Sequence, residues 1–230
     1  MKRVGILQSN YIPWKGYFDI IGLVDEFVLL DEIQYTKNDW RNRNRIKTGQ
    51  GTQWLTIPVT HRLSQRIDET EVVGQAWRRK HWASISQSYA RAAHFQAFKA
   101  IFESLYLQSD EVMLSRINHV FITTICGILG IATKISWSSD YGIVEGKTDR
   151  LVDLCRKAGA TEYLTGPAAR GYLDAGMFLE AGISVKWMDY SGYREYHQAF
   201  PPFDHHVSIL DLIFNEGEAA TRFLKSKDPS

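Results

Sequence analysis

The amino-acid sequence predicts an α/β fold with a mostly parallel sheet, and three observations support this. Short apolar runs alternate with stretches of helical periodicity along much of the 230 residues. The segment 26–31 holds a continuous apolar run, which is typical of a strand buried on both faces. Hydrophobic residues make up 44% and charged residues 23% of the chain, as in ordinary globular domains.

The first half of the chain contains one βαβ unit followed by two different segments. Residues 3–7 and 26–31 predict strands, and residues 17–23 predict the helix between them. Residues 38–75 predict a strand-rich insertion over the sheet edge, with strands at 54–59 and 70–73 and a turn at 49–52. Two long helices, 77–107 and 109–129, predict a helical layer.

The second half returns to alternating strands and helices. It predicts strands at 133–137, 162–165 and 184–188, and helices at 149–158, 168–181 and 209–215. Asp204 and Ser208 are candidate caps of the last helix. We therefore expect a single α/β domain over residues 1–230, with a Rossmann-like sheet flanked by helices. The insertion at about 38–75 and a helical subdomain at about 77–130 would belong to it.

Composition argues against several classes of protein. Lys and Arg total 27 and Asp and Glu total 26, so the net charge of +1 argues against a general polyanion binder. The sequence lacks an 18-residue apolar run, and its start turns polar at Gln8, so neither a spanning helix nor a signal peptide is predicted. Cys126 and Cys155 lie in apolar helical patterns, which fits a reduced, cytoplasmic protein. The histidine spacing predicts no metal site.

Polar loops follow three predicted strands, at the end of a parallel sheet where ligands bind. The loop at 8–17 leads into a helix N-terminus, which attracts anions, and it carries amides, a lysine and aromatic rings. Its predicted substrate-binding residues are Gln8, Asn10, Tyr11, Trp14, Lys15 and Tyr17. The other two loops add Gln34, Gly166 and Arg170. The alternative is that these loops are structural and their aromatic rings pack in the core.

The segment 40–47 alternates cationic and other side chains. If it is extended, Arg41, Arg43 and Arg45 share one face with Lys47. Arginine binds phosphate with two parallel hydrogen bonds, so we predict a site for one small phosphorylated ligand. A solvated edge strand is the alternative, because positive charge also prevents edge aggregation. RNA is the less favoured partner, given the nearly neutral chain.

The candidate proton acceptors are Asp31, His81 and His206, with His205 as an alternative to its neighbour. Adjacent histidines point apart in an extended chain and rarely share a metal. A histidine satisfied within a loop is the structural alternative. The sequence has no GxGxxG, GxxxxGK[ST] or GxSxG motif, which argues against dinucleotide-binding, P-loop and α/β-hydrolase proteins.

Four segments together resemble a known family: QSNYIPWKGYF at 8–18, DEIQY at 31–35, WRNRN at 40–44 and SILDLIFN at 208–215. This combination resembles the WbqC-like protein family over nearly the whole chain. Members are bacterial, tend to be encoded with O-antigen and other surface-polysaccharide genes, and are described as glycine transferases. The resemblance thus implies acylation or aminoacylation of an amino sugar, and it carries over no catalytic residues.

A weaker resemblance links residues 5–17 to the first βα loop of HIGH-type nucleotidyltransferases. The two histidine positions of that loop correspond to Trp14 and Tyr17, which cannot act as phosphate-binding imidazoles.

The predicted function is therefore transfer of an acyl or aminoacyl group, such as glycyl, to the amine of a nucleotide-linked amino sugar. The alternatives are a nucleotidyltransferase or ATP-dependent ligase on the same fold, and a non-catalytic nucleotide-sugar binding module. The expected ligands are a nucleotide-linked sugar or another phosphorylated small molecule, and a nucleotide or activated acyl donor. A homodimer is a further expectation.

Overall fold

A five-stranded sheet forms the centre of the protein, seen here in a computed structural model that describes residues 1–142 and 144–227. The strands, in chain order, are β1 (Arg3–Leu7), β2 (Glu26–Leu29), β3 (Arg43–Thr48), β4 (Gly51–Thr56), β5 (Lys134–Trp137), β6 (Glu162–Thr165) and β7 (Ser184–Trp187). The large sheet has the order β5-β2-β1-β6-β7, and its neighbouring strands are all parallel. The predicted α/β, Rossmann-like fold is confirmed.

Helices cover both faces of the large sheet. In chain order they are α1 (Lys15–Gly22), α2 (Ala76–Tyr89), α3 (Phe95–Leu107), α4 (Leu114–Ile128), α5 (Thr148–Lys157), α6 (Ala175–Glu180) and α7 (Ile209–Glu216). Side chains of β2 alternate between the faces: Phe27 packs in the core shared with α1 and the α2–α4 layer, and Val28 packs with α5 and α6. Such alternation follows from the two-residue period of a strand.

Two predicted helices are each interrupted in the structure. The prediction of one helix over 77–107 is wrong, because α2 ends at Tyr89 and α3 begins at Phe95. The residues between them are good helix formers, but His94 donates its backbone N–H to Phe214 O of α7 at 2.9 Å. The predicted helix at 168–181 is likewise a 3₁₀ turn followed by the short α6. Asp174 begins α6 by accepting the Gly176 N–H at 2.8 Å.

The predicted insertion forms the antiparallel hairpin β3–β4, whose turn lies at the predicted 49–52 segment. The strand expected at 54–59 ends at Thr56. Ile57 still donates to Asn42 O at 2.7 Å, in the register of the hairpin, but Pro58 has no backbone N–H with which to continue the ladder. The strand expected at 70–73 is reduced to isolated bridges. The hairpin packs against α2 and α7.

Within residues 1–142 and 144–227, no helix is long and apolar enough to cross a membrane. Cys126 and Cys155 are free thiols, and burial raises the pKa of each to about 12.

The buried carboxylate of Glu26 makes the stability of the fold depend on acid pH. Burial alone would raise its pKa, but hydrogen bonds from Lys2 (2.7 Å), Tyr141, Lys134 (2.9 Å) and Ser136 (2.7 Å) lower it to about 2. A depressed pKa stabilises the folded state above the ordinary value of 4.5, and this contribution is lost as the pH falls from there toward about 2.

We therefore expect wild-type stability to fall more steeply than that of Glu26→Gln across this acid window. Urea unfolding midpoints at about pH 5 and about pH 3 measure the difference. Glu69→Gln, at an exposed ion pair with Arg66, is the control and should follow the wild type. Equal acid sensitivity of the wild type and Glu26→Gln would contradict this role.

Candidate functional site

The order of the parallel strands creates a crevice beside the end of β1. The chain passes from β1 to β2 on one side and later enters β6 on the other, so the connections diverge at this point. Ligands of open α/β sheets bind at such switch points. A cavity of about 420 Å³, here called the switch-point cavity, opens there and is lined by Ile6, Leu7, Gln8, Leu30, Ile33, Gln34, Lys147, Arg150, Leu151, Tyr163 and Tyr172.

A second cavity also takes part of its lining from the first loop. It has a volume of about 210 Å³, is here called the Trp14 cavity, and is lined by Asn10, Pro13, Trp14, Trp40, Asn44 and His206. Asn44 fixes the loop from β3, because its Nδ2 donates to Tyr11 O at 3.1 Å and Ile12 O at 2.9 Å. The loop after β1 therefore contributes residues to both cavities.

Arg41 links the two cavities through their amide side chains. Its Nη1 donates to Asn10 Oδ1 at 2.6 Å, and its Nη2 donates to Gln8 Oε1 at 3.1 Å. A guanidinium group only donates hydrogen bonds, so both amide oxygens must face it. The NH₂ groups of Gln8 and Asn10 are thereby left as donors for a ligand. We call this arrangement the Arg41 clamp.

The cations of the hairpin lie beside a pair of tryptophans. Trp40 and Trp54 are 41% and 43% exposed, with ring centroids 5.5 Å apart. The Arg43 guanidinium lies 4.3 Å from the Trp54 ring, and Arg45 Nη2 donates to His206 O at 2.9 Å. The Nε atoms of Arg41, Arg43 and Arg45 have no hydrogen-bond partner within the described residues. These three Nε atoms are buried, so they would reach an anionic oxygen only after the side chains move.

The segment before α7 places His206 at the mouth of the Trp14 cavity. The His206 ring stacks on Trp14 with centroids 5.8 Å apart. Asp204 Oδ1 accepts the backbone N–H of His206 at 2.7 Å and lies 3.5 Å from its Nδ1. Ser208 provides the expected cap of α7, since its Oγ accepts the Leu210 N–H at 3.3 Å.

Five predicted site residues are buried instead: Tyr11, Lys15, Tyr17, Asp31 and His81. The Tyr11 hydroxyl is 2.9 Å from His81 Nδ1 and 2.5 Å from the Tyr106 hydroxyl. His81 Nε2 lies 3.2 Å from Thr56 O, and burial lowers the pKa of His81 to about 4. Tyr17 is buried and donates to Gln8 O at 2.9 Å, which fixes the end of β1 from beneath.

Asp31 also has a buried position, at the end of β2. Its carboxylate accepts the Ser9 N–H at 2.8 Å and the Ser115 hydroxyl, and burial raises its pKa. These bonds tie the first loop to α4. Of the other predictions, Gln34 lines the switch-point cavity, and the Arg170 guanidinium lies 5.2 Å from the Trp187 ring. Gly166 follows β6, and a Cβ there would lie 3.5 Å from the Tyr190 hydroxyl. Gly166 and Arg170 are outside the lining of both cavities.

Several cavity residues were not predicted from the sequence. Lys147 and Arg150 supply the positive charge of the switch-point cavity, and Tyr163 and Tyr172 supply aromatic surface. The sequence did offer one indication, Gly146-Lys147-Thr148 at the start of α5. Together with Gly142 it reads GxxxGKT, which has one residue fewer between the glycines than the phosphate-loop motif GxxxxGK[ST]. Within the described parts of the chain, no group of three or more His, Cys, Asp or Glu side chains is placed to hold a metal ion.

The parallel sheet with cavities at the carboxyl end of β1 defines an α/β protein with a candidate site for a polar, anionic small molecule. The chain belongs to the WbqC-like protein family, whose family model matches residues 8–223. It is 49% identical over 227 residues to the uncharacterized protein Rv1507c of Mycobacterium tuberculosis (strain ATCC 25618 / H37Rv), with 98% of each chain covered. No solved structure matches the chain at a significant level.

Proposed function

We propose that this protein is a cytoplasmic transferase that attaches an acyl or aminoacyl group, such as glycyl, to the amine of a nucleotide-linked amino sugar for surface-polysaccharide synthesis. The observation that carries this proposal is the Arg41 clamp. It holds the amide groups of Gln8, which lines the switch-point cavity, and of Asn10, which lines the Trp14 cavity. A nucleotide-linked sugar has acceptor oxygens along its length and needs one compartment for the nucleotide and one for the sugar.

The larger compartment suits the nucleoside diphosphate. Lys147 and Arg150 lie beside the N-terminus of α5, and their two positive charges match the two negative charges of a diphosphate bridge. Gln8 and Gln34 add hydrogen bonds, and the ring of Tyr172 is 54% exposed and can stack on a base. A volume of about 420 Å³ is within the range of small-molecule sites.

The Trp14 cavity suits the amino sugar. The indole rings of Trp14 and Trp40 offer flat apolar surfaces for a sugar ring, and the Asn10 amide can bind its hydroxyl groups. His206 borders this cavity, whereas His81 and Asp31 are buried and hydrogen-bonded. His206 is therefore the proton acceptor of this proposal.

The proposed reaction is acyl transfer from an activated ester, such as a thioester. The sugar amine attacks the acyl carbonyl carbon, a C–N bond forms, and His206 Nε2 accepts the amine proton. The tetrahedral intermediate then collapses, the bond to the leaving group breaks, and that group departs with the electron pair. His206 returns the proton to the leaving group, so the enzyme is unchanged after each cycle.

Removing either cation of the switch-point cavity should weaken binding. Lys147→Met and Arg150→Met should each raise the Kd of a nucleoside-diphosphate sugar by about tenfold, because each loses a charge-assisted hydrogen bond worth about 1–3 kcal/mol. Isothermal titration calorimetry measures the change. Arg156→Met, at the other end of α5, is the matched control and should leave Kd unchanged. Equal affinities in all four proteins would place the diphosphate elsewhere.

A transfer assay tests the activity itself. Purified protein is incubated with nucleotide-linked amino sugars and acyl or glycyl thioesters, and mass spectrometry follows the gain of the acyl group on the sugar. Tight binding without any transfer would favour the non-catalytic binding module. Pyrophosphate release that depends on ATP or CTP would favour the nucleotidyltransferase or ligase.

A further inference from the structure

A third cavity shares part of its lining with the Trp14 cavity. It has a volume of about 190 Å³, is here called the rear cavity, and is lined by Trp14, Tyr190, Gly192, Tyr193, His205 and His206. Trp14 and His206 border both cavities. The rear cavity is too small for a nucleotide but has room for a small acyl group beside the amino sugar.

A buried lysine controls the protonation of His205. Lys15 is 2% exposed, and its Nζ lies 2.9 Å from His205 Nδ1 and 3.5 Å from Arg194 O. The rings of Tyr193 and Tyr196 lie 4.7 Å and 5.2 Å from this ammonium group. Burial lowers the pKa of Lys15 to about 8, so the ammonium form predominates at neutral pH.

The Lys15 contact determines which nitrogen of His205 carries the proton. An ammonium group has no acceptor, so His205 Nδ1 must accept and the ring hydrogen must be on Nε2. Burial, followed by the positive charge of Lys15, lowers the pKa of His205, which favours the neutral ring. His205 is therefore a fixed N–H donor that lines the rear cavity.

His206, the next residue in the chain, differs from His205 in which ring nitrogen can accept a proton. Asp204 lies on its Nδ1 side at 3.5 Å, and its Nε2 has no hydrogen-bond partner within residues 1–142 and 144–227. A carboxylate at Nδ1 favours a proton there and leaves Nε2 as an acceptor. The rear cavity thus has a donor imidazole and an acceptor imidazole in its wall.

We infer that the rear cavity holds the carbonyl group of the acyl donor, that His205 Nε2–H donates to its oxygen, and that Lys15 is the positioning residue that fixes this tautomer. The inference rests on the proposed function and adds the donor subsite to it. When the amine adds to the carbonyl carbon, the electron pair that moves onto oxygen is stabilised by the His205 N–H. The pair returns when the leaving group departs, and His205 keeps its proton throughout.

The tautomer can be tested without any ligand. The full-length protein is labelled with ¹⁵N-histidine, and two-bond ¹H–¹⁵N spectra at neutral pH report which ring nitrogen is protonated. His205→Gln assigns the signals. We expect a neutral His205 ring protonated on Nε2. A ring protonated on Nδ1, or on both nitrogens, would overturn the inference.

A pair of lysine variants tests the role of Lys15. Lys15→Met places an apolar side chain among the aromatic rings and should give His205 a mixture of tautomers. Lys225→Met is the control, because Lys225 lies 5.3 Å from the same Tyr193 ring but its Nζ donates to Asp189 O. It should retain the wild-type spectrum. An unchanged His205 spectrum in folded Lys15→Met would overturn the positioning role.

Kinetics separates this inference from the proposed function. In the transfer assay, His205→Phe should lower kcat by about 100-fold, as the loss of one oxyanion donor does, and leave the KM of the nucleotide sugar nearly unchanged. His205→Gln keeps an N–H donor and should recover part of that loss. If transfer occurs but His205→Phe retains full kcat, the donor subsite is wrong and the proposed function stands. If the wild type transfers nothing, the proposed function and the donor subsite fail together. The tautomer spectra then describe only the contact between Lys15 and His205.

Discussion

Arg41→Met is expected to raise the Kd of a nucleotide-linked amino sugar by about 30-fold or more. The substitution removes the guanidinium group that holds both Gln8 Oε1 and Asn10 Oδ1, so each amide is free to turn and its N–H donors lose their fixed direction. The loss of a largely buried, hydrogen-bonded charge costs about 2 kcal/mol or more in binding, which corresponds to that factor. Isothermal titration calorimetry measures it directly.

The control for this variant is Arg66→Met. Arg66 also forms a forked pair, with Asp68 at 3.0 Å, but its side chain is 44% exposed and borders neither cavity. Exposed ion pairs contribute little, so its Kd and melting temperature should stay close to the wild type. Wild-type affinity in folded Arg41→Met would show that the clamp does not organise a binding site.

Asp211→Ala is expected to cause the largest loss of stability among the changes considered. Asp211 is buried in α7 and accepts hydrogen bonds from Tyr89 at 2.9 Å, Tyr196 at 2.8 Å and Gln198 at 2.9 Å. Alanine leaves the buried hydroxyl groups of Tyr89 and Tyr196 without their acceptor, while Gln198 Nε2 still donates to Asp204 O at 2.9 Å. The expected cost is about 3–4 kcal/mol, which lowers the melting temperature by roughly 10 °C in a chain of this length.

Two further variants make the stability measurement specific. Asp211→Asn keeps one carbonyl oxygen and should lose less than alanine. Glu69→Ala removes an exposed ion pair and an exposed hydrogen bond from the Arg66 N–H at 3.1 Å, and should melt near the wild type. Differential scanning calorimetry gives the three values. A loss below about 1 kcal/mol for Asp211→Ala would mean that this network does not anchor the segment that carries His205 and His206.

The sheet could be predicted from the sequence because its strands are short apolar runs separated by amphipathic helices. The parts that differed depend on contacts between distant residues. The sequence of 77–107 favours one helix, and the bond from His94 to α7 ends it. β4 is shorter than expected for a local reason instead: Ile57 still pairs with Asn42 in the hairpin register, and Pro58 has no backbone N–H with which to extend the ladder.

The candidate site was predictable as a position but less so as a set of residues. The loop after β1 was identified because polar residues follow a buried strand, and Gln8, Asn10 and Trp14 do line cavities. Local pattern could not show that Tyr11 points into the core to meet His81. It also could not show that Lys147 approaches β1, because this proximity exists only once β6 has paired with β1.

A crystal structure of the complex with a nucleoside-diphosphate-linked amino sugar tests the central claim most directly. We expect the diphosphate in the switch-point cavity, within hydrogen-bond distance of Gln8 Nε2, Lys147 and Arg150, and the sugar ring against Trp14 with its amine facing His206. A ligand bound with its phosphates outside the switch-point cavity, for example between Asp189 and Lys225, would contradict it.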